Sequence, residues 1–141
     1  WLGEGAHTER LNELLEKAKQ AREQAYAPYS GFAVGAALLA ASGNIYTGCN
    51  VENASYGATI CAERVAAANA VSAGERRFSA IAVVSNSEEP WPPCGVCRQV
   101  LSEFGSDMTV IMGNLSGKVV VSSLAQLYPG AFGRMHMTPD I

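Results

Sequence analysis

Gly48-Cys49-Asn50-Val51-Glu52-Asn53-Ala54-Ser55-Tyr56-Gly57-Ala58-Thr59-Ile60-Cys61-Ala62-Glu63-Arg64 decides how this chain is read. The stretch leaves a strand pattern, crosses a polar loop, and runs from a Cys-Ala-Glu step into an alanine-rich helical pattern. Downstream, Pro93-Cys94-Gly95-Val96-Cys97 answers it at the start of another helical segment. Three thiols and one carboxylate so arranged suffice for a zinc site with a general acid/base beside it.

Outward from that stretch, the chain alternates helix and strand signals. Thr8 is placed to cap a helix running to about Ala25, with Leu11, Leu14, Leu15 and Ala18 on one face. Ala27-Pro28-Tyr29-Ser30-Gly31 breaks it. Residues 32–41 and 45–51 read as strands joined by Ser42-Gly43-Asn44, an antiparallel hairpin. A second helix starts near Cys61 and stops at Gly74, and its many alanines predict close packing on several sides. Ala80 to Ser85 is a buried strand, and residues 95–104 form a third helix ended by Gly105. Residues 108–112 and 118–122 are two more strands turned by 114–117, and Ser123 caps a last short helix ended by Pro129-Gly130. The order α-β-β-α-β-α-β-β-α predicts an α/β fold, a sheet with helices on its faces.

The cysteines carry the chemistry. Cys94 and Cys97 stand three apart at a helix start, so their sulfurs share a side. Cys61 opens another helix, and both helix starts favour thiolate through free N–H groups and the macrodipole. Three protein ligands leave a fourth position for water, the catalytic pattern, whereas a structural site takes four. A lone Cys-x-x-Cys is also compatible with a redox pair or half of a zinc knuckle, though a redox pair prefers a place near the chain start. Cys49 is a conceivable fourth ligand, but beside Gly48 in a strand it reads as a small buried cysteine. His7 and His136 have no partner at ligand spacing. Glu63, two residues beyond Cys61, is placed to hang over the metal and move a proton. The bland alternative is a solvated helix residue, the reading given to Glu16 and Glu23.

Composition bounds the rest. The 141 residues are 48% hydrophobic and 16% charged, enough for one domain with a core. The net charge is −3, and among ten scattered basic residues only Arg76-Arg77 are adjacent, which weighs against a nucleic-acid partner. The most apolar run, residues 32–41, is too short to span a membrane, and no basic and apolar leader pattern opens the chain. Four cysteines allow two disulfides, yet the apolar core favours reduced thiols and a cytoplasmic location.

Cys61-Ala62-Glu63 with Pro93-Cys94-Gly95-Val96-Cys97 resembles the zinc-dependent cytidine deaminase superfamily, for which this three-cysteine signature is known. Tyr29-Ser30, Gly35 to Leu39, Gly48 to Ala54 and Cys94 to Leu101 are similar to the small cytidine deaminases, so the likeness covers roughly residues 25–132. The resemblance implies a three-layer α-β-α fold with a five-stranded mixed sheet, a single domain over 1–141, with 1–7 and 133–141 flexible or peripheral. It implies zinc on Cys61, Cys94 and Cys97, with Glu63 as proton shuttle. Asn50 and Glu52 would hold the ribose 3′-hydroxyl, the backbone of Ala62 would meet the pyrimidine, and Phe32 would line the base pocket. Arg64 would offset the charge of three thiolates, with Arg98 a weaker candidate. The family's small members are homotetramers, which would send Tyr56 and Phe132 into a neighbour's site, Phe132 stacking on the base; the alternative is ordinary core aromatics.

Some positions depart from the family's pattern. Val65 stands where Thr is usual, Leu127-Tyr128-Pro129 replaces Leu-Leu-Pro, and the loop carrying Trp91 is individual and a place to tune substrate choice. The implied activity is hydrolysis of cytidine and deoxycytidine to the uridines and ammonia, a salvage reaction. A deaminase of a nucleoside antibiotic such as blasticidin S is the nearest alternative, opposed by the Asn50-x-Glu52 pair. A non-catalytic zinc-stabilised module is another, and Glu63 speaks against it.

Overall fold

Alternation along one strand sets the layers. The computed structural model describes residues 4–137, with side chains from Thr8 onward. In β1 (Val34–Ala40), Ala36, Leu38 and Ala40 point into one core and Ala37 and Leu39 into another. The first core lies under α2 (Ala62–Ser72), α3 (Gly95–Ser102) and α4 (Leu124–Leu127), which contribute Ala66, Ala70, Leu101 and Leu124. The second lies under α1 (Glu4–Arg22), which contributes Leu14 and Ala18. Both faces of the sheet are therefore covered, giving three layers.

The sheet is mixed. β2 (Ile45–Cys49) and β3 (Phe78–Ser85) flank β1 antiparallel, β4 (Thr109–Asn114) runs parallel to β3, and β5 (Val119–Ser123) closes the far edge antiparallel. The order is β2-β1-β3-β4-β5, five strands as expected. A parallel pair needs a crossover, and α3 supplies it between β3 and β4. The N-terminus of α3 thus stands at the carboxyl end of β3. Val34 lies opposite Ser85 and Gly35 opposite Cys49, so the start of β1 and the ends of β2 and β3 share one sheet edge.

Two glycines let helices ride directly on strands. A Cβ on Gly48 would lie 2.5 Å from the backbone nitrogen of Ala66, and one on Gly35 only 1.9 Å from the carbonyl oxygen of Ala18. The alanines of α2 complete that close approach, as their number predicted.

Several boundaries differ from the sequence reading. α1 begins at Glu4, so Thr8 lies inside the helix and does not cap it. Glu4 and Ala6 are acceptable helix formers, and no breaker stronger than Gly5 separates them from Thr8. Beyond Arg22 the chain makes i to i+3 bonds through Ala25. β1 starts two residues late because the carbonyls of Phe32 and Ala33 are taken by the side chains of Asn50 and Arg22. β2 stops at Cys49, and Val51 instead bridges Tyr26 and Ile60. The Ser123 cap is present, as a capping box with Gln126. Residues 1–3 and 138–141 of the flanks lie outside the described residues, and a short α5 (Arg134–Met137) occupies part of the last one.

Candidate active site

The double bridge at Val51 builds the site. Val51 exchanges both backbone hydrogen bonds with Ile60 at 2.9 Å, folding residues 52–59 out as a loop. Cys61 is thereby returned to the sheet edge beside Asn50 and becomes the N-cap of α2. Cys94 is the N-cap of α3, and α3 carries Cys97 on its first turn. Two helix starts, 33 residues apart in the chain, thus bring their sulfurs together: Cys61 and Cys94 Sγ atoms are 3.8 Å apart.

All three ligand sulfurs lie within 4.8 Å of one another. Zinc–sulfur bonds of about 2.3 Å in a tetrahedron put sulfurs about 3.8 Å apart, so this cluster fits zinc with little adjustment. Cys49 lies outside the group and is partly exposed, less enclosed than the sequence suggested. The Nδ1 atom of His136 accepts from the N–H of Gly133, and the ring stacks on Phe132, away from the thiols. The side chain of His7 lies outside the described residues.

Charge in the cluster is uneven. The Cys61 thiol is pulled down to about 5, first by a hydrogen bond from Cys97, then by Arg64 and Cys94. Cys97 is pushed up, first by that same bond and then by its burial. The two shifts oppose each other, so Cys61 is the readier of the pair to ionise. The Nη2 atom of Arg64 donates to Cys61 Sγ at 3.7 Å and to the carbonyl of Thr59 at 3.2 Å. Its Nε is buried without a partner among the described residues. Arg98, by contrast, spends its guanidinium on the carbonyls of Pro93 and Leu127, both at 2.7 Å, and clamps the loop leading into α3.

Glu63 is only 5% exposed, which removes the solvated-residue reading. Burial is the main force raising its carboxyl to about 7, and the Cys61 charge adds to it. A carboxyl poised there exchanges protons readily at neutral pH.

A cavity of about 330 Å³ is lined by Glu63, Cys61 and Cys94, and also by Asn50, Glu52 and Ser30. Phe32, Val34, Val83, Trp91 and Pro92 give it apolar walls. Asn50 is nearly buried: its Oδ1 accepts from the N–H of Val34 at 2.9 Å and its Nδ2 donates to the carbonyl of Phe32 at 2.8 Å. Glu52 accepts from the N–H groups of Tyr29 and Ser30 and from the Ser30 hydroxyl. Those bonds, the hydroxyl's first, hold its carboxyl below the ordinary range. Ala62 is the first residue of α2 and lines the cavity with its N–H outside the helix's own bonding.

Tyr56 and Phe132 are not gathered into this cavity. Tyr56 is 77% exposed on a 3₁₀ turn at Tyr56–Ala58, edge-on to Tyr29, and Phe132 is 54% exposed. Neither is a core aromatic of its own chain. Sequence reasoning missed Ser30, Val34, Ile60 and Val83 as lining residues. Only Ser30 left a signal, in a Pro28-x-Ser30-Gly31 turn where Gly31 takes φ +76°; the others read as ordinary strand residues.

A buried carboxyl beside three thiols spaced for one zinc ion is the donor set of a metal-assisted hydrolase. Comparison with known proteins narrows the class. The family model for the cytidine and deoxycytidylate deaminase zinc-binding region matches residues 8–113, and the chain belongs to that family. It is 53% identical over 125 residues to a cytidine deaminase of Sporosarcina psychrophila, covering 88% of this chain and 92% of the relative. A crystal structure of a Burkholderia pseudomallei cytidine deaminase superposes with a TM-score of 0.83 at 52% identity, covering 86% of this chain and 98% of the other. A blasticidin-S deaminase of Bacillus cereus is more distant, 31% identical over 109 residues, covering 72% of this chain and 77% of the relative.

Proposed function

We propose that the protein hydrolyses cytidine and deoxycytidine to uridine and deoxyuridine, releasing ammonia. The observation that carries this reading is Glu63, a buried carboxyl raised to about 7 by its burial, lining the same mostly apolar cavity as Cys61 and Cys94. Cys61, Cys94 and Cys97 hold the zinc, which when bound supplies an activated water for addition to C4 of the base. Glu63 takes a proton from that water, delivers it to N3, and then carries the next one to the departing amine. A C–O bond forms and the C4–N bond breaks, so water enters and ammonia leaves. Arg64 bonds to the thiolate of Cys61 and tempers the negative charge of three sulfurs. The free N–H of Ala62 meets the pyrimidine edge, and Phe32 lies against the base.

Three donors already occupy Glu52, leaving room for one more, and Asn50 keeps a second amide hydrogen. A ribose 3′-hydroxyl satisfies both. No lysine or arginine lines the cavity among the described residues, and Glu52 is ionised at neutral pH. A 5′-phosphate would meet repulsion there, so the substrate is a nucleoside. Salvage of pyrimidine nucleosides in a reducing cytoplasm suits three thiols that must stay unoxidised. The exposure of Tyr56 and Phe132 supports their use in a neighbour's site within a homotetramer.

The test is ultraviolet absorbance of cytidine, deoxycytidine and blasticidin S, each incubated with zinc-loaded protein and with Glu63→Ala. Loss of the cytosine band from the first two is expected, at a rate about 10³-fold lower or less in the variant, with zinc content unchanged. Consumption of blasticidin S alone would overturn the substrate, and no turnover at all would overturn the activity.

A further inference from the structure

The apolar part of the cavity wall has one oversized member. Trp91 sits three residues before Cys94, with its ring centroid 4.7 Å from that of Phe32 and the planes tilted by 56°. Both rings line the cavity, and Trp91 is still 40% exposed. Its position is firmly held from both sides. Upstream, the carbonyl of Glu88 accepts from Asn114 Nδ2 at 2.6 Å, and Glu89 pairs with Lys118. Downstream, Arg98 grips the carbonyl of Pro93. Pro90, Pro92 and Pro93 fix the backbone around it. Phe32 is anchored separately: its carbonyl is held by Asn50 and its N–H by the Ser30 hydroxyl. The two rings thus meet from separately anchored segments and make one continuous apolar surface.

We propose that Trp91 is a specificity-determining residue that limits substituents on the C5–C6 edge of the base. This inference rests on the deaminase reading above. With Glu63 at the ring nitrogen beside the reacting carbon, the carbon's other neighbour, C5, is turned away from the start of α2. The C5–C6 edge carries only C–H bonds and belongs against a wall that offers no hydrogen bonds. Phe32, Trp91 and Pro92 give the cavity such a wall. An indole there fills space that a smaller side chain would leave to a C5 methyl group. Hydrophobic pockets discriminate a single methyl by about 10–200-fold, so the wall has room to set preference without touching the chemistry.

The experiment compares kcat/KM for cytidine and 5-methylcytidine in the zinc-loaded wild type, Trp91→Phe and Trp91→Val. The 5-methylcytidine to cytidine ratio is expected to rise about tenfold or more in Trp91→Val and by less in Trp91→Phe. Zinc content and melting temperature report that each variant is intact, and Trp91→Phe serves if the valine variant does not fold. A second readout needs no turnover. In a Trp1→Phe background Trp91 is the sole tryptophan, and its emission should change on binding uridine and respond more weakly to 5-methyluridine. A ratio unmoved in an active enzyme overturns the inference alone. A wild type that leaves both nucleosides intact overturns the deaminase reading and this inference with it.

Discussion

Arg64 donates to Cys61 Sγ at 3.7 Å, and that contact favours the ionised thiol. Its guanidinium contacts Cys61 Sγ, and a second face of it, the buried Nε, has no partner among the described residues. A guanidinium placed against a thiol favours its ionised form. Without Arg64 the Cys61 thiol regains a higher pKa, and protons compete better with zinc. Arg64→Gln should therefore release zinc at a higher pH than wild type as solutions are acidified. Zinc release followed with a chromogenic chelator checks this, and coincident release curves would remove Arg64 from the role. At this scale the sequence was most legible. Cys61, Cys94 and Cys97 are a rare residue type at fixed offsets from helix starts, and Glu63 is set apart from the other glutamates only by its place two residues beyond Cys61. Arg98 shows the limit: two arginines lie within three residues of a cysteine, and the family resemblance ranks Arg64 first where residue type and spacing alone do not separate the one that turns to sulfur from the one that turns to carbonyls.

Elements carry a second set of constraints, because helix starts deliver the ligands. α2 is seated on β2 through Gly48, and α1 on β1 through Gly35. A methyl group at either place forces backbone apart and should cost about 2–3 kcal/mol. The consequences diverge. Gly48→Ala lifts the helix that begins at Cys61, so both melting temperature and zinc affinity should fall. Gly35→Ala disturbs the opposite layer, so stability should fall with zinc affinity nearly kept. Calorimetry and zinc titration on both variants decide it, and equal loss of zinc in the two would show that the layers are not independent. The far end of α2 is tied down by Glu75, which accepts from the Ser42 hydroxyl at 2.7 Å and the Tyr46 hydroxyl at 2.8 Å. The Ser42 bond first, then that of Tyr46, holds its carboxyl below the ordinary 4.5. A depressed carboxylate contributes stability that is present above its unfolded pKa and is lost as pH falls through the folded one. Glu75→Gln should melt below wild type at neutral pH and converge with it in acid; parallel curves across that range would contradict the assignment. Strand and helix types were legible from alternation and alanine content, whereas the start of α1 was not. Thr8 has the right chemistry for a cap, but nothing upstream of it stops a helix.

The whole molecule decides what no single element records. Cys61 and Cys94 meet because β1 and β3 are neighbours and α3 must cross over between parallel strands, a consequence of sheet order that motif spacing does not state. The lining valines were illegible for the same reason, since a strand residue at the sheet edge and one in the core look alike in sequence. Tyr56 and Phe132 pose the question one level higher. Their exposure leaves two arrangements open to experiment, a neighbour's site or no site at all. Mixed oligomers separate these. Glu63→Gln removes the proton shuttle of its own cavity, and Phe132→Ala removes the ring from whichever cavity it serves. Where Phe132 serves a neighbour, a cavity in a Phe132→Ala subunit is whole again when the adjoining subunit is Glu63→Gln. Random co-assembly of equal amounts should then restore about a quarter of the sites of a symmetric oligomer. Where Phe132 serves no site, Phe132→Ala alone keeps full activity and mixing only dilutes it with Glu63→Gln subunits. Co-expression with two different affinity tags, tandem purification and a cytidine assay would read the difference directly. Activity no higher than the better of the two parent variants would remove Phe132 from the neighbour's site.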